Sequence, residues 1–457
     1  MELFEILCGI AVAFLGVYYY FTLNFKFWKA RGIRGPQPTP GFGNIKDIML
    51  MKKSIPDYSM EIYNNYKDEP TIGIFANRTP ILIVKDPDLI KDILIRDFTN
   101  FADRGFPFHE KLDPLSQHLF ALEPKRWRPL RTRLSPVFSS GTCAFGIEMN
   151  ALSDEDSEFR KMGRLIFAST WSNILRRRMK QFLPWLCNIL SYILPKTEVT
   201  KFFTRVVIET MNYRDSNNII RHDFIDTLRE LKKHPDKVGN IDLSESLIAA
   251  QAFVFFAAGF ETSSTTMSNA LYELALNQEI QDKLREEIDE EYIRYNGNFI
   301  YENVKKMNYL DKVFKETLRK YPPVFLLTRK ATSNYTFNSI NVSIPKGQNI
   351  WIPIYSIQRD PDIYPNPDVF DPERFSDEGA KIKHPMFYLP FGDGPRNCIG
   401  ARFAVHQTKI GIIKILRNYK FEICEKTQIP YINDPRSSLI LTPLGGIFLK
   451  MTKIHRS

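Results

Sequence analysis

Phe391-Gly392-Asp393-Gly394-Pro395-Arg396-Asn397-Cys398-Ile399-Gly400 is the stretch from which the rest of the chain is read. It sets one cysteine in a glycine-rich turn, at the mouth of an apolar helical segment, with Arg396 two residues ahead of it. A thiolate is a strong, soft ligand for haem iron, and a cysteine axial ligand pushes electron density towards O–O cleavage. The glycines let backbone N–H groups approach the sulfur, and the N-terminus of the following helix favours a negative sulfur. Phe391 is placed to shield it, and the Arg396 guanidinium suits a haem propionate. The competing expectation is a buried structural cysteine, the usual fate of a free Cys. Residues upstream weigh against that.

Met307, Leu310, Val313, Phe314, Thr317, Leu318 and Tyr321 recur at helical spacing, and Pro322-Pro323 should end that helix. It carries Glu316 and Arg319 at i and i+3, where side chains meet. Alone, such a pair reads as a surface ion pair worth about 0–1 kcal/mol. The apolar run Ile248–Ala258 leads into Ala258-Gly259-Phe260-Glu261-Thr262-Ser263. A carboxylate beside a hydroxyl in an apolar helix is costly to bury without a purpose, and Gly259 leaves room beside it. The opposing expectation is that Glu261 faces solvent and Thr262 bonds back to a carbonyl. Trp127 and Arg131 stand at i and i+4 in a basic helical stretch, where Pro129 is tolerable only near the first turn. Ile72–Phe75 and Ile81–Val84 read as a hairpin, Asp86-Pro87 caps a helix through about Leu94, and Tyr335–Ile357 holds short β-like runs with turns at Asn338-Ser339 and Lys346-Gly347.

These stretches resemble the cytochrome P-450 family of haem-thiolate monooxygenases, and the remaining text is most similar to the microsomal xenobiotic-metabolising members of insects. The resemblance runs from the N-terminal apolar segment to the last strands. It implies a mainly α fold with small peripheral β-sheets: one large haem domain behind an N-terminal transmembrane helix. It implies haem b (iron protoporphyrin IX) held through Cys398 as axial iron ligand, with cofactor contacts from Trp127, Arg131, Arg329, Phe391, Arg396 and Gly400. Phe370-Asp371-Pro372-Glu373-Arg374-Phe375 resembles the family's second arginine motif, so Glu316, Arg319 and Arg374 would form a buried charged triad holding the cysteine loop. Glu261 and Thr262 would deliver protons during oxygen activation. The expected partners are O2, a lipophilic small molecule, NADPH–cytochrome P-450 reductase and a cytochrome b-type donor. Lys125, Arg126, Arg128, Arg133, Arg402 and Lys409 are candidates for the reductase-docking face. Substrate contacts are expected in Phe101–Leu122, in the apolar helix before Glu261, in Val324–Leu327 and in Ile440–Ile447, with Phe101, Phe106, Phe108, Phe120, Phe253, Phe255, Phe256 and Phe325 facing an apolar pocket, or packing in the core.

The 457 residues are 44% hydrophobic, enough for a substantial core. The 5 cysteines are scattered, so neither a zinc site nor a disulfide framework is indicated. Residues 1–25 form an apolar segment long enough to span a bilayer. Lys26, Lys29, Arg31 and Arg34 follow it, which sets the body on the cytosolic side. Residues 26–45 are a basic and Pro-rich hinge, and 46–457 the catalytic domain of an endoplasmic-reticulum enzyme. The net charge of +10 suits an anionic leaflet and an acidic protein partner, and no nucleic-acid motif accompanies it. Arg176-Arg177-Arg178, Lys180 and Phe182–Leu186 suggest a second membrane contact.

One departure stands out. Leu134–Gly141 runs directly into Thr142–Ile147, whereas the resemblance implies several tens of residues between them, one whole helix and most of the next. Losing them would uncover apolar surface at about 25 cal/mol per Å², against a net stability of roughly 5–15 kcal/mol. The chain is therefore expected to be an active monooxygenase, a catalytically silent haem-binding or misfolded splice variant or gene-model product, or a membrane scaffold that pairs with other P-450s or the reductase without haem.

Overall fold

In the computed structural model, residues 2–106, 110, 113–139, 157–168, 197–239, 241–377, 384–437 and 439–454 are described. The Gly141–Thr142 junction, Phe108 and the 176–186 stretch lie outside them. The longer helices are α1 (Glu2–Thr22), α2 (Ile55–Asn65), α3 (Pro124–Ser139), α4 (Glu158–Phe167), α5 (Glu198–Ser216), α6 (Phe224–Lys233), α7 (Glu245–Leu276), α8 (Gln278–Arg294), α9 (Asn308–Lys320) and α10 (Ala401–Asn418). The strands are β1 (Thr71–Ala76), β2 (Thr79–Val84), β3 (Leu327–Lys330), β4 (Tyr335–Phe337), β5 (Val342–Ile344), β6 (Asn349–Ile352), β7 (Tyr419–Glu422) and β8 (Lys450–Lys453). Helices dominate, as the sequence pattern implies. The exposed, apolar α1 is long enough to cross a membrane.

The chain packs as two compact units, one of Met1–Asp103, Leu318–Asn397 and Gln428–Gly446, the other of Arg104–Thr317, Cys398–Thr427 and Ile447–Ser457. The first holds a four-stranded sheet in the order β1-β2-β6-β3. The expected hairpin is there, antiparallel from Thr71↔Val84 to Ala76↔Thr79. Its β2 runs parallel to β6, which is antiparallel to β3. Ile72, Ile74, Leu82, Val84, Ile350 and Ile352 are fully buried, each contributing about 1.5–3 kcal/mol. Of these, Leu82, Val84, Ile350 and Ile352 join Leu89, Ile90, Leu94, Phe101 and Phe337 in one core. Asp86 caps the helix Pro87–Lys91 by accepting from the Leu89 N–H at 3.0 Å. The α form stops earlier than the sequence suggested, because the chain widens into a π-type turn, Asp92–Arg96. That turn carries the Leu94 carbonyl to the cysteine loop.

The second unit is built around α7. Ser244 caps it, and Leu247, Ile248, Ala249, Ala250 and Ala252 are buried on it. Phe253 and Phe256 meet Phe203 of α5, both at 5.4 Å, while Phe255 meets Phe138 of α3 and Phe224 of α6, both at 4.8 Å. A buried Arg214 joins α5 to α6 through Asp223 (2.6 Å) and Asp226 (2.9 Å). In α3, Pro129 falls in the second turn, past the tolerated first turn. Its ring removes the N–H that would bond the Lys125 carbonyl. Burial of Trp127, Leu130 and Leu134 on one face of the helix outweighs that loss.

Candidate haem-thiolate site

On the first unit, two glycines shape the segment that precedes Cys398 in the sequence. Gly392 and Gly394 have φ of 65° and 70°, the left-handed region that favours glycine. A Cβ on Gly394 would sit 1.8 Å from the Leu94 carbonyl oxygen, so only glycine fits. Gln358 holds the same segment from behind. Its Oε1 accepts the Leu389 N–H at 3.0 Å, and its Nε2 donates to the Leu318 and Arg319 carbonyls, both at 2.9 Å. Sequence reasoning missed Gln358, because a lone Gln in an apolar stretch carries no signal.

Glu316 and Arg319 are fully buried on α9. The Arg319 guanidinium donates to the carbonyls of Gln358 (2.9 Å) and Pro367 (2.7 Å). Arg374 donates to the adjacent Asn366 carbonyl at 2.9 Å. Both arginines thus hold the one turn at 366–367. Arg396 is buried and Phe391 half-buried.

Arg329 on β3 is 2% exposed. Its Nη1 donates to the Thr328 carbonyl at 2.8 Å, its Nε has no hydrogen-bond partner, and burial pushes the guanidinium down to about 10. A buried cation left with open donors suits an anionic ligand that arrives from outside the chain. A haem propionate has that chemistry, so the residues fit the group.

On the second unit, Cys398 stands three residues before α10, whose N-cap is Gly400. Its side chain is reached by solvent, yet surrounding protein pushes the thiol up, against the opposing pull of the Gly400 N–H and the charges of Arg104 and Arg131. An accessible sulfur ringed by protein and facing two guanidiniums suits a soft cationic metal, which would displace the thiol proton. Arg131 itself is pushed down by burial and drawn back by Cys398. Trp127, one turn earlier on α3, is 4% exposed. Arg104 gave no sequence signal, being a single arginine in a loop.

Glu261 and Thr262 fall in mid-α7, which continues unbroken past them. Thr262 Oγ1 donates back to the Ala258 carbonyl at 2.6 Å, as the opposing sequence expectation has it. Glu261 is half-buried, and burial raises its carboxyl. Among the described residues, a Cβ on Gly259 would meet Phe403 alone, at 3.8 Å, as the expected room beside the helix requires. In the 113–122 loop, the His118 ring lies 6.0 Å from Phe253 and 6.2 Å from Phe120. Its Nδ1 is buried without a partner, and burial pushes the imidazole down to about 4, hence neutral.

The basic candidates separate. Lys125, Arg128, Arg133 and Arg402 are exposed. Lys409 is a correction: it is 3% exposed and bonds Asp311 at 2.6 Å. It faces inward because α10 packs that side of its surface against the rest of the unit. Arg126 is tied to Glu123 at 2.7 Å.

A model of the family described as Cytochrome P450 matches residues 33–142 and 136–451. The chain belongs to the cytochrome P-450 family. It is 39% identical to the probable cytochrome P450 6a13 of Drosophila melanogaster over 476 positions, covering 95% of this chain and 96% of that protein. It is 38% identical to cytochrome P450 6A1 of Musca domestica over 491 positions, covering 96% of each. With cytochrome P450 6B1 of Papilio polyxenes it shares 36% over 497 positions, 96% of this chain and 97% of that one. Each alignment is longer than the 457-residue chain, so these P-450 relatives carry residues that this chain lacks. The two stretches matched by the family model meet at 136–142. Membership implies a haem-iron oxidoreductase of monooxygenase type.

Proposed function

We propose that this P-450 is a membrane-anchored haem-thiolate monooxygenase that inserts one oxygen atom of O2 into lipophilic small molecules. Haem b, when bound, supplies oxygen binding and activation. Cys398 would hold its iron through a thiolate, and Arg131, Arg329 and Arg396 with Trp127 would hold the propionates. Phe391 and Gly400 shield and hydrogen-bond the sulfur. Glu316, Arg319 and Arg374 brace the cysteine loop. Glu261, its carboxyl raised by burial, relays protons, and Thr262 turns from the Ala258 carbonyl to pass them on. Electrons come from NADPH–cytochrome P-450 reductase, or from a cytochrome b-type donor, at the exposed Lys125, Arg128, Arg133 and Arg402. Helix α1 holds the enzyme in the endoplasmic-reticulum membrane with its catalytic body in the cytosol.

The observation carrying this reading is the accessible, protein-ringed sulfur of Cys398 under the charges of Arg104 and Arg131. The test is the reduced carbon-monoxide difference spectrum of the full chain and of Cys398→Ser. A strongly red-shifted Soret band in the parent, lost in the variant, supports it. The extra length of the relatives favours a second reading, a silent or misfolded variant. No band from this chain, with a band restored by inserting a relative's segment at Gly141, supports that one.

A further inference from the structure

Gln251 is 1% exposed on the first third of α7, and its amide is fully used. Its Oε1 accepts the Leu119 N–H at 2.9 Å, while its Nε2 donates to the Gln117 carbonyl at 2.9 Å and, one turn back, to the Leu247 carbonyl at 3.0 Å. The two loop groups flank His118. The amide therefore pairs with the loop as a neighbouring β-strand would, one donor and one acceptor in register. The loop's own backbone bonds include short-range turns such as Ala121 N–H to the His118 carbonyl at 2.9 Å. Gln117 is held again from its side chain, whose Oε1 accepts Arg126 Nη1 at 3.2 Å. Two residues beyond Gln251, Phe253 meets the His118 ring at 6.0 Å, and Phe120 meets Phe106 at 5.2 Å. A single buried amide thus sets how the rings of a loop stand against those of a helix.

We propose that Gln251 is a positioning residue that fixes the register of the 113–122 loop on α7, and thereby the shape of the wall formed by His118, Phe120 and Phe253. It governs which lipophilic molecules the site admits. The proposal extends the monooxygenase reading, on which the term substrate depends, but the strap itself does not require haem.

The test uses the full chain and the variants Gln251→Leu, Gln251→Glu and Gln251→Asn. Amide hydrogen exchange reads the strap. In Gln251→Leu the Leu119 amide exchanges at least ~10-fold faster, while α10 amides stay unchanged. Gln251→Glu keeps the acceptor but turns an oxygen to the Gln117 carbonyl, and falls between. Gln251→Asn is one methylene short and matches Gln251→Leu while keeping a polar amide, which covers the case in which Gln251→Leu fails to fold. Fluorescence titration with the broad, planar Nile red and the slim cis-parinaric acid reads the wall, and the ratio of their affinities shifts at least ~5-fold. Unchanged Leu119 exchange overturns the proposal. So does faster exchange with an unchanged affinity ratio, which would make the strap structural only. A carbon-monoxide spectrum on the same samples separates failure of the haem reading, since neither measurement needs iron.

Discussion

Gly394 and Leu94 touch backbone to backbone: a Cβ on Gly394 would stand 1.8 Å from the Leu94 carbonyl oxygen. The contact locks the cysteine loop to the end of the Pro87–Lys91 helix and its π-type turn. Gly394→Ala must move one of two backbones and also holds Ala at φ 70°, a strain of about 1–3 kcal/mol before any clash. We expect haem per chain to fall about tenfold or more. Gly445→Ala is the control, with φ 78° and nothing within 4 Å. It carries the conformational strain alone and should lower Tm by a few degrees with haem content retained. Equal haem loss in both would refute the steric account.

Arg329→Leu should have opposite effects with and without haem. Without it, the buried guanidinium is a charge with open donors, and an apolar replacement is neutral or stabilising. With haem, the variant forfeits the propionate contact. Thermal unfolding of apo and loaded forms checks this: the variant should raise or preserve the apo Tm and shrink the Tm gain on loading. The same loss of Tm in both forms would exclude the propionate role.

Glu261→Gln should stabilise the fold as pH rises. Burial raises the Glu261 carboxyl above its ordinary 4.5, so the folded state binds more protons than the unfolded one in the window from 4.5 up to the raised value. Stability contributed by Glu261 is full below that window and falls as pH climbs through it. Urea unfolding at pH 4 and pH 7 should show parent and variant alike at the lower pH and the variant ahead at the higher. The variant should also consume NADPH with less product formed.

Lys409 and the exposed arginines should separate stability from electron transfer. Lys409→Met leaves Asp311 with Lys315 as its remaining cation, at 2.7 Å. Because Asp311 is partly exposed, the cost should be about 2–3 kcal/mol, below the 3–5 kcal/mol of a fully buried broken pair. The KM for reductase should hold. Arg128→Glu should do the reverse, with stability within about 0.5 kcal/mol and a reductase KM raised several-fold, more so at low salt. Denaturant midpoints and reductase titrations read both arms.

Much of the architecture was legible because its causes are local. The β1–β2 hairpin follows from two short apolar runs either side of Ala76–Pro80, the Asp86 cap from one side chain, and the end of α9 at Lys320 from Pro322-Pro323. The turns of the cysteine loop were legible too, since Gly392 and Gly394 take the positive φ that glycine favours. Lys409 was misjudged because a lysine reads the same on either side of a helix until the neighbouring helices are placed. Pro129 inside α3 was unexpected for a related reason: the burial of Trp127, Leu130 and Leu134 that carries the helix past it is tertiary.

Patterning and spacing along the chain were thus enough to specify a mainly helical fold, the first hairpin and the likeness to P-450s, all properties of neighbours in sequence. Three features came only from folding: Gly394 against Leu94, Gln358 joining Arg319 to Leu389, and Gln251 strapping Leu119. In the first and third, the partners are far apart in the chain. In the second, the bonds depend on a buried amide whose partners are backbone groups. Backbone N–H and C=O groups are the same at every residue, so no residue type announces such a contact, and it exists only once the chain has closed on itself.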